Sequence, residues 1–158
     1  MPAVTSHLRN YRPADFDALY EIDRICFDAS TAYSRRQLRD YLRMRGADCL
    51  IAEDAAQIAG FIVTARQRDE GYITTIDVLP DYRRHAVGSI LLAEAEKRLA
   101  AHGVSEVSLE TATENASAIA FWQKHGYRKR GVIEGYYPGG RDAYSMTKLL
   151  PPNRKARS

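Results

Sequence analysis

The succession of strand-like and helix-like runs between residues 49 and 111 constrains this chain more than any other feature. Residues 49–54 ("CLIAED"), 57–69 ("QIAGFIVTARQRD") and 70–79 ("EGYITTIDVL") have strand character and follow one another closely. The tight connections between them predict an antiparallel meander. The period then changes. Val87, Leu91, Ala95 and Leu99 recur at the spacing of one helix face, and Gly103 stops the helix. A short apolar strand over 105–111 comes next. Strand, long helix, strand requires a crossover, so residues 70–79 and 105–111 should lie parallel inside an otherwise antiparallel sheet.

The flanking segments complete the pattern. Residues 6–10 read as a first strand. Pro13 suits the first turn of a helix that carries Phe16, Leu19, Tyr20 and Ile22 to about Cys26. Ser34 caps a second helix over 35–44, which Gly46 ends. Asn115 caps a fourth helix through His125, and Gly126 closes it. Residues 127–137 and 142–150 then form two final strands around the turn Pro138-Gly139-Gly140. The order β-α-α-β-β-β-α-β-α-β-β describes one mixed α/β domain over residues 1–150 and a basic tail over 151–158.

Composition narrows the partners. At 158 residues a single domain is expected. The net charge of +3 comes from the tail, which holds three basic side chains and no acidic one. Without it the body is neutral, so no nucleic-acid partner is expected. No run approaches the ~18 apolar residues of a membrane span, and the N-terminus lacks a signal-peptide layout. Cys26 and Cys49 lie outside any CxxC, which favours a reducing, cytoplasmic setting. The four histidines have no metal-ligand spacing, so no metal is expected. A monomer or homodimer is the expected state.

The stretch "IDVLPDYRRHAVGSILL", residues 76–92, joins the third strand of the meander to the long helix. It is neither a P-loop nor a GxGxxG turn. Backbone N–H groups at the helix start, with Arg83 and Arg84 beside them, suit an anion. Taken alone, the stretch reads equally well as a plain turn with solvated arginines. Ala86 is expected at negative φ, where its methyl costs little, with close backbone approach kept at Gly88.

The wider pattern resembles the GNAT superfamily of N-acetyltransferases. Its acetyl-CoA loop reads Gln/Arg-x-x-Gly-x-Gly/Ala after a strand ending "V.P.YR", and Arg83, Ala86 and Gly88 occupy the signature positions. The stretch "LETATENASAIAFWQKHGYRKRGVIEGYY", residues 109–137, resembles the family's next block, in which an Asn opens a helix ending "FY..GF". The resemblance runs from about residue 4 to residue 150. It is strongest to the N-terminal (ribosomal-protein alanine) acetyltransferases, through Tyr136-Tyr137-Pro138 and the spacing of Asp142, Ala143 and Met146.

The resemblance implies a site. Acetyl-CoA would lie where the two parallel strands diverge, along Ile76, Asp77 and Val78. Its pyrophosphate would rest on the amides of Arg84, His85, Ala86, Val87, Gly88 and Ser89, with charge from Arg83. Asn115 would touch the cofactor as well as cap its helix. Glu110 matches the general base, and Tyr72 a position used beside it. Phe27, Tyr136 and Tyr137 would hold the acceptor, and a backbone N–H near Val78 would meet the oxyanion. Trp122 stands where many relatives carry a tyrosine acid. An indole N–H donates a hydrogen bond but gives up no proton near neutrality. With a thiol pKa near ~8.5, the thiolate is a tolerable leaving group, so an altered acid step is expected. Tyr72, Tyr136 and Tyr137 are candidate substitutes.

The implied acceptor is a protein or peptide N-terminus. An α-amine has a pKa of about 7.7–8.0 and a lysine about 10.4, so deprotonating lysine costs roughly 3.5 kcal/mol more. A modest carboxylate base suits the α-amine. A small-molecule amine is the alternative acceptor, and a non-catalytic acyl-CoA-binding module is the alternative of another class.

Overall fold

The computed structural model describes residues 7–152 of the chain. Seven strands form one mixed sheet: β1 (His7–Asn10), β2 (Asp48–Asp54), β3 (Gln57–Gln67), β4 (Glu70–Val78), β5 (Glu106–Ala112), β6 (Arg128–Tyr137) and β7 (Arg141–Leu149). Their spatial order is β1-β2-β3-β4-β5-β7-β6. Four helices connect them: α1 (Phe16–Cys26), α2 (Arg35–Arg43), α3 (Val87–Ala101) and α4 (Ala116–Lys124). The meander β2-β3-β4 is antiparallel as its short turns require, and β4–β5 is the one parallel pair, bridged by α3. The expected order of elements therefore holds. Ser6 and the tail from Asn153 onward lie outside the described residues.

Strand alternation sends neighbouring side chains to opposite faces, and each face has its own core. On one face Phe16, Leu19, Ile22 and Leu38 of α1 and α2 pack on Ile51, Phe61 and Val63. On the other, Leu91, Leu92, Ala95 and Leu99 of α3 and Trp122 of α4 pack on Leu50, Ile62, Ile73, Leu109 and Met146. The stripe Val87, Leu91, Ala95 and Leu99 of α3 is thus its buried face, and Val87, Leu91 and Leu99 each stabilise the fold by roughly 1.5–3 kcal/mol. Among the described residues, no helix is long and apolar enough to cross a membrane.

Two details position the site. β3 pairs Val63 with Thr75 and Thr64 with Ile73, so Thr74 forms a bulge. The bulge resets the alternation: Gly71 and Ile73 face α3, whereas Thr75 and Asp77 beyond it face α1. β4 and β5 are also in register only at Glu70↔Glu106, Gly71↔Val107 and Tyr72↔Ser108. Beyond Tyr72 the strands part, while β5 stays paired with β7 as far as Ala112.

The chain enters α1 differently from expectation. Pro13 opens a 3-10 turn, Pro13–Asp15, and the α-helix starts at Phe16. Asp15 is the reason: its carboxylate accepts the Arg12 N–H at 2.8 Å and Arg9 Nη1 and Nη2, each at 2.8 Å. The Arg9 hydrogen bonds hold the buried Asp15 carboxyl below the usual range. A lowered folded pKa contributes stability that is complete above the unfolded value and is lost as pH falls through the folded one. Asp15→Asn should therefore melt below wild type at pH 7, with the gap closing below about pH 4. Melting curves across that range check it. A gap that persists undiminished in acid would contradict the ion-pair account.

Candidate active site

The parting of β4 from β5 leaves strand backbone facing a gap. The Leu79 N–H bonds the Ala59 carbonyl of β3 at 2.9 Å. By strand alternation, Ile76 and Val78 turn their N–H and C=O groups the opposite way, toward β5 and the gap. The Val78 carbonyl accepts from Arg83 Nε at 3.0 Å and Cys26 Sγ at 3.4 Å. Arg83 therefore ties the loop back to the end of β4, while Arg84 stays exposed.

The loop before α3 corrects one expectation. Ala86 has φ +61°, not a negative value, and Arg84 has φ +71°. Left-handed residues on either side of His85 form a nest, the geometry that turns successive N–H groups into one concavity. The first backbone bond of α3 runs from the Ile90 N–H to the Ala86 carbonyl at 2.9 Å. Among the described residues, the amides from Arg84 to Ser89 take no protein acceptor, so an anion there would meet only donors. A Cβ on Gly88 would sit 3.2 Å from the Phe121 ring, so the glycine permits the close approach of α3 to α4. Ser89 Oγ lies 2.9 Å from His125 Nε2, joining the same two helices. Burial lowers the His125 pKa and favours the neutral ring.

A cavity of about 630 Å³ opens where β4 and β5 separate. It brings together Phe27, Tyr72, Ile76, Glu110, Asn115, Trp122, Tyr136 and Tyr137 from six elements and connections distant in sequence. Glu110 is its best-held polar group. Glu110 Oε1 accepts from the Tyr72 hydroxyl, and from the Tyr136 hydroxyl at 2.9 Å. Its Oε2 takes no hydrogen bond among the described residues. Burial, then the bond to Glu110, raises the Tyr72 pKa. Burial also raises that of Tyr136 and pushes Tyr137 up to about 12. All three phenols remain donors at neutral pH. Asn115 caps α4, its Oδ1 accepting the Ala118 N–H at 3.2 Å. Trp122 is buried, with its ring edge-on to Tyr127 at 5.3 Å between centroids.

Asp77 needs correction. It was expected along the cofactor, but the bulge at Thr74 turns its side chain toward α1. There it is 1% exposed, accepts from Thr75 Oγ1 and lies beside Asp23. Burial and that neighbour raise its pKa well above the carboxylate range. Among the described residues Asp23 Oδ1 and Asp77 Oδ2 have no hydrogen-bond partner, and a single proton between them would satisfy both. Sequence reasoning also passed over Tyr33, whose hydroxyl donates to the Thr74 carbonyl at 3.0 Å, and Arg141, which lines the cavity mouth. "FDAST" held the signal for that mouth: an Asp followed by hydroxyl residues forms a local cap.

The acetyltransferase (GNAT) family model matches residues 16–127, the span from α1 through β4, the nest, α3, β5 and α4. The chain belongs to the GNAT acetyltransferase family. It is 28% identical over 156 residues to an N-alpha-acetyltransferase of Saccharolobus solfataricus, covering 90% of this chain and 92% of that protein. It is 34% identical over 93 residues to the ribosomal protein bS18-alanine N-acetyltransferase of Escherichia coli, covering 57% of this chain and 63% of that one. Among solved structures, Ard1 from Thermoplasma volcanium aligns with a TM-score of 0.86 at 26% identity, covering 94% of this chain and 99% of that one. As a GNAT acetyltransferase the chain is an acyltransferase, which sets aside the reading as a non-catalytic binding module.

The nest of this GNAT acetyltransferase is strained at Ala86. A left-handed L-residue costs roughly 1–2 kcal/mol, and glycine adds about 0.4–1 kcal/mol of unfolded-chain entropy. Ala86→Gly should therefore stabilise the fold by about 0.5–1 kcal/mol, a rise of roughly 1–4 °C in Tm. Calorimetry on the two proteins decides this. A lower Tm in the variant would mean that the methyl packs favourably despite its φ.

Proposed function

We propose that this enzyme transfers the acetyl group of acetyl-CoA to the α-amine of a protein or peptide, by direct attack with Glu110 as general base. The observation that carries the reading is Glu110 itself. Two tyrosine hydroxyls hold one of its oxygens beside the open end of the β4–β5 gap and leave the other available. The identity of that base fits an amine whose proton is easily removed.

Acetyl-CoA would supply a thioester carbonyl and a thiolate leaving group. The chain's own residues fit it. The nest from Arg84 to Ser89 offers donors to a pyrophosphate, with Arg84 and His85 beside it. The backbone of Ile76 and Val78 offers strand-like pairing to an extended amide chain in the gap, and the Val78 N–H faces the place where charge builds on the carbonyl oxygen. Glu110 Oε2 takes the proton from the attacking amine, directly or through a water. Tyr72 orients Glu110 and does not act as a base, because its pKa is raised.

A route through an acetylated cysteine finds no support. Both cysteines are free thiols, and burial pushes Cys26, the one that lines the cavity, up to about 11. A thiol so rarely ionised is a poor nucleophile near neutrality. The acceptor cavity also carries Asp23, Asp28, Glu110 and Glu114 against one arginine, which favours a cationic amine over an anionic acceptor.

Thiol release from acetyl-CoA across a panel of N-terminal peptides, polyamines, aminoglycosides and amino acids tests the acceptor. Release with peptides is expected; release with small amines alone would replace the peptide reading. Glu110→Gln should lower kcat by about 10²–10⁴ while acetyl-CoA still binds. Wild-type turnover in that variant would remove Glu110 as the base. Trp122→Phe should keep kcat within about ten-fold, because no proton passes through the indole. A larger loss would mean that the indole N–H assists the leaving thiolate.

A further inference from the structure

Arg141, the first residue of β7, reaches across the cavity mouth. Its Nη1 lies 3.0 Å from Glu114 Oε1 and 3.5 Å from Asp28 Oδ2, and its Nη2 donates to Ser30 Oγ at 2.7 Å and Thr31 Oγ1 at 2.6 Å. The guanidinium carbon lies 5.7 Å from the centroid of the Tyr137 ring. Three separate segments meet at this one side chain: the α1–α2 loop, the turn between β5 and α4, and the β6–β7 hairpin. All of them line the cavity.

The α1–α2 loop has little else to fix its outer part. Asp28, Ala29 and Ser30 are exposed and bury no apolar side chain. Asp28 Oδ1 gathers the Ser30 and Thr31 N–H and hydroxyl groups within 3.1 Å, which makes the turn rigid in itself. Tyr33 anchors only the far end, through its N–H to Asp23 at 2.7 Å and its hydroxyl to Thr74. Arg141 joins the rigid turn to the opposite wall. Exposed ion pairs taken singly contribute little. Here one planar fork uses two nitrogens to serve acceptors on two segments at once, a spread that the single ammonium nitrogen of lysine does not reproduce.

We infer that Arg141 is a positioning residue that latches the α1–α2 loop to the β6–β7 hairpin and so fixes the acceptor side of the cavity. The inference rests on the proposed acceptor for its kinetic consequence, but not for the latch itself. Arg141 touches neither Glu110 nor the nest. It sets where Phe27 stands relative to Tyr136 and Tyr137.

The test uses the full-length protein, acetyl-CoA, an alanine-initiated peptide as the acceptor probe, and hydrogen–deuterium exchange. In both Arg141→Ala and Arg141→Lys the amides of residues 28–33 should exchange faster, while those of 84–90 stay unchanged. The peptide KM should rise on the order of ten-fold, with KM for acetyl-CoA and kcat within about two-fold. The double variant Ser30→Ala/Thr31→Ala keeps Arg141 but removes both hydroxyl acceptors and two of the turn's own bonds to Asp28, so its loop should exchange at least as fast as in Arg141→Ala and its peptide KM should rise to match. Restoration of wild-type KM and exchange by lysine would overturn the latch in favour of charge alone. A raised peptide KM with unchanged loop exchange would overturn it in favour of direct contact with the acceptor. Unchanged exchange and KM in all three variants would leave Arg141 with no positioning role. If wild type acetylates no peptide, the proposed acceptor fails and the exchange pattern alone decides the latch.

Discussion

The separation of β4 from β5 after Tyr72 and Ser108 is the constraint on which the rest of the site depends. A parallel pair held along its full length would spend the backbone groups of Ile76 and Val78 on β5. Parted, the strands leave those groups facing a gap, and the crossover helix α3 begins beside it. The bulge at Thr74 belongs to the same device. It gives Thr74 a carbonyl that Tyr33 satisfies, and it turns Thr75 and Asp77 toward α1. At the far end of the pair, a Cβ on Gly60 would lie 2.5 Å from the Asp77 carbonyl oxygen, so β3 can follow the end of β4 only as glycine.

A polar network behind β4 makes the parting durable. Asp23 of α1 accepts the Tyr33 N–H, Thr75 donates to Asp77, and the two carboxyls lie together with one unpartnered oxygen each. Burial and the neighbouring Asp23 carboxyl raise the Asp77 pKa well above its ordinary value. A proton shared between the two carboxyls would join α1 to the far end of β4 by a hydrogen bond. The helix would thus be fastened to the strand just beyond the point where β5 lets go. The same network seats Tyr33, the inner anchor of the loop that closes the cavity.

Much of this was legible in the sequence because it rests on period and punctuation. The buried stripe of α3, the caps at Ser34 and Asn115 and the parallel crossover are local patterns, and the structure repeats them. Glu110 and Tyr72 were legible through the family pattern. The sign of φ at Ala86 was not, because an alanine carries no mark of the nest that bends it. Asp77 was misplaced because one extra residue at Thr74 inverts every side chain after it, and no residue type announces that bulge. Arg141 was invisible for a further reason. Its partners lie 27 to 113 residues away, and only the closed sheet brings them together.

In the proposed placement of acetyl-CoA, the strain at Ala86 and the buried indole at Trp122 would bear on its two ends. At the phosphate end the backbone accepts a left-handed alanine, and the nest it builds gathers donors that no side chain could place as closely. At the thioester end a tyrosine would bring a hydroxyl, whereas Trp122 fills the space between α4 and Tyr127 with a larger apolar ring. In the proposed mechanism the proton then passes to Glu110, which the two phenols hold in place. Both phenols point at the same carboxylate oxygen, so each lone pair they occupy is closed to solvent while Oε2 stays open. A base held in this way has one direction in which to accept a proton. That direction is set by the hairpin carrying Tyr136, whose hydroxyl holds Glu110 directly, whereas Arg141 on the same hairpin reaches the opposite wall through Glu114, Ser30 and Thr31 and leaves Glu110 untouched.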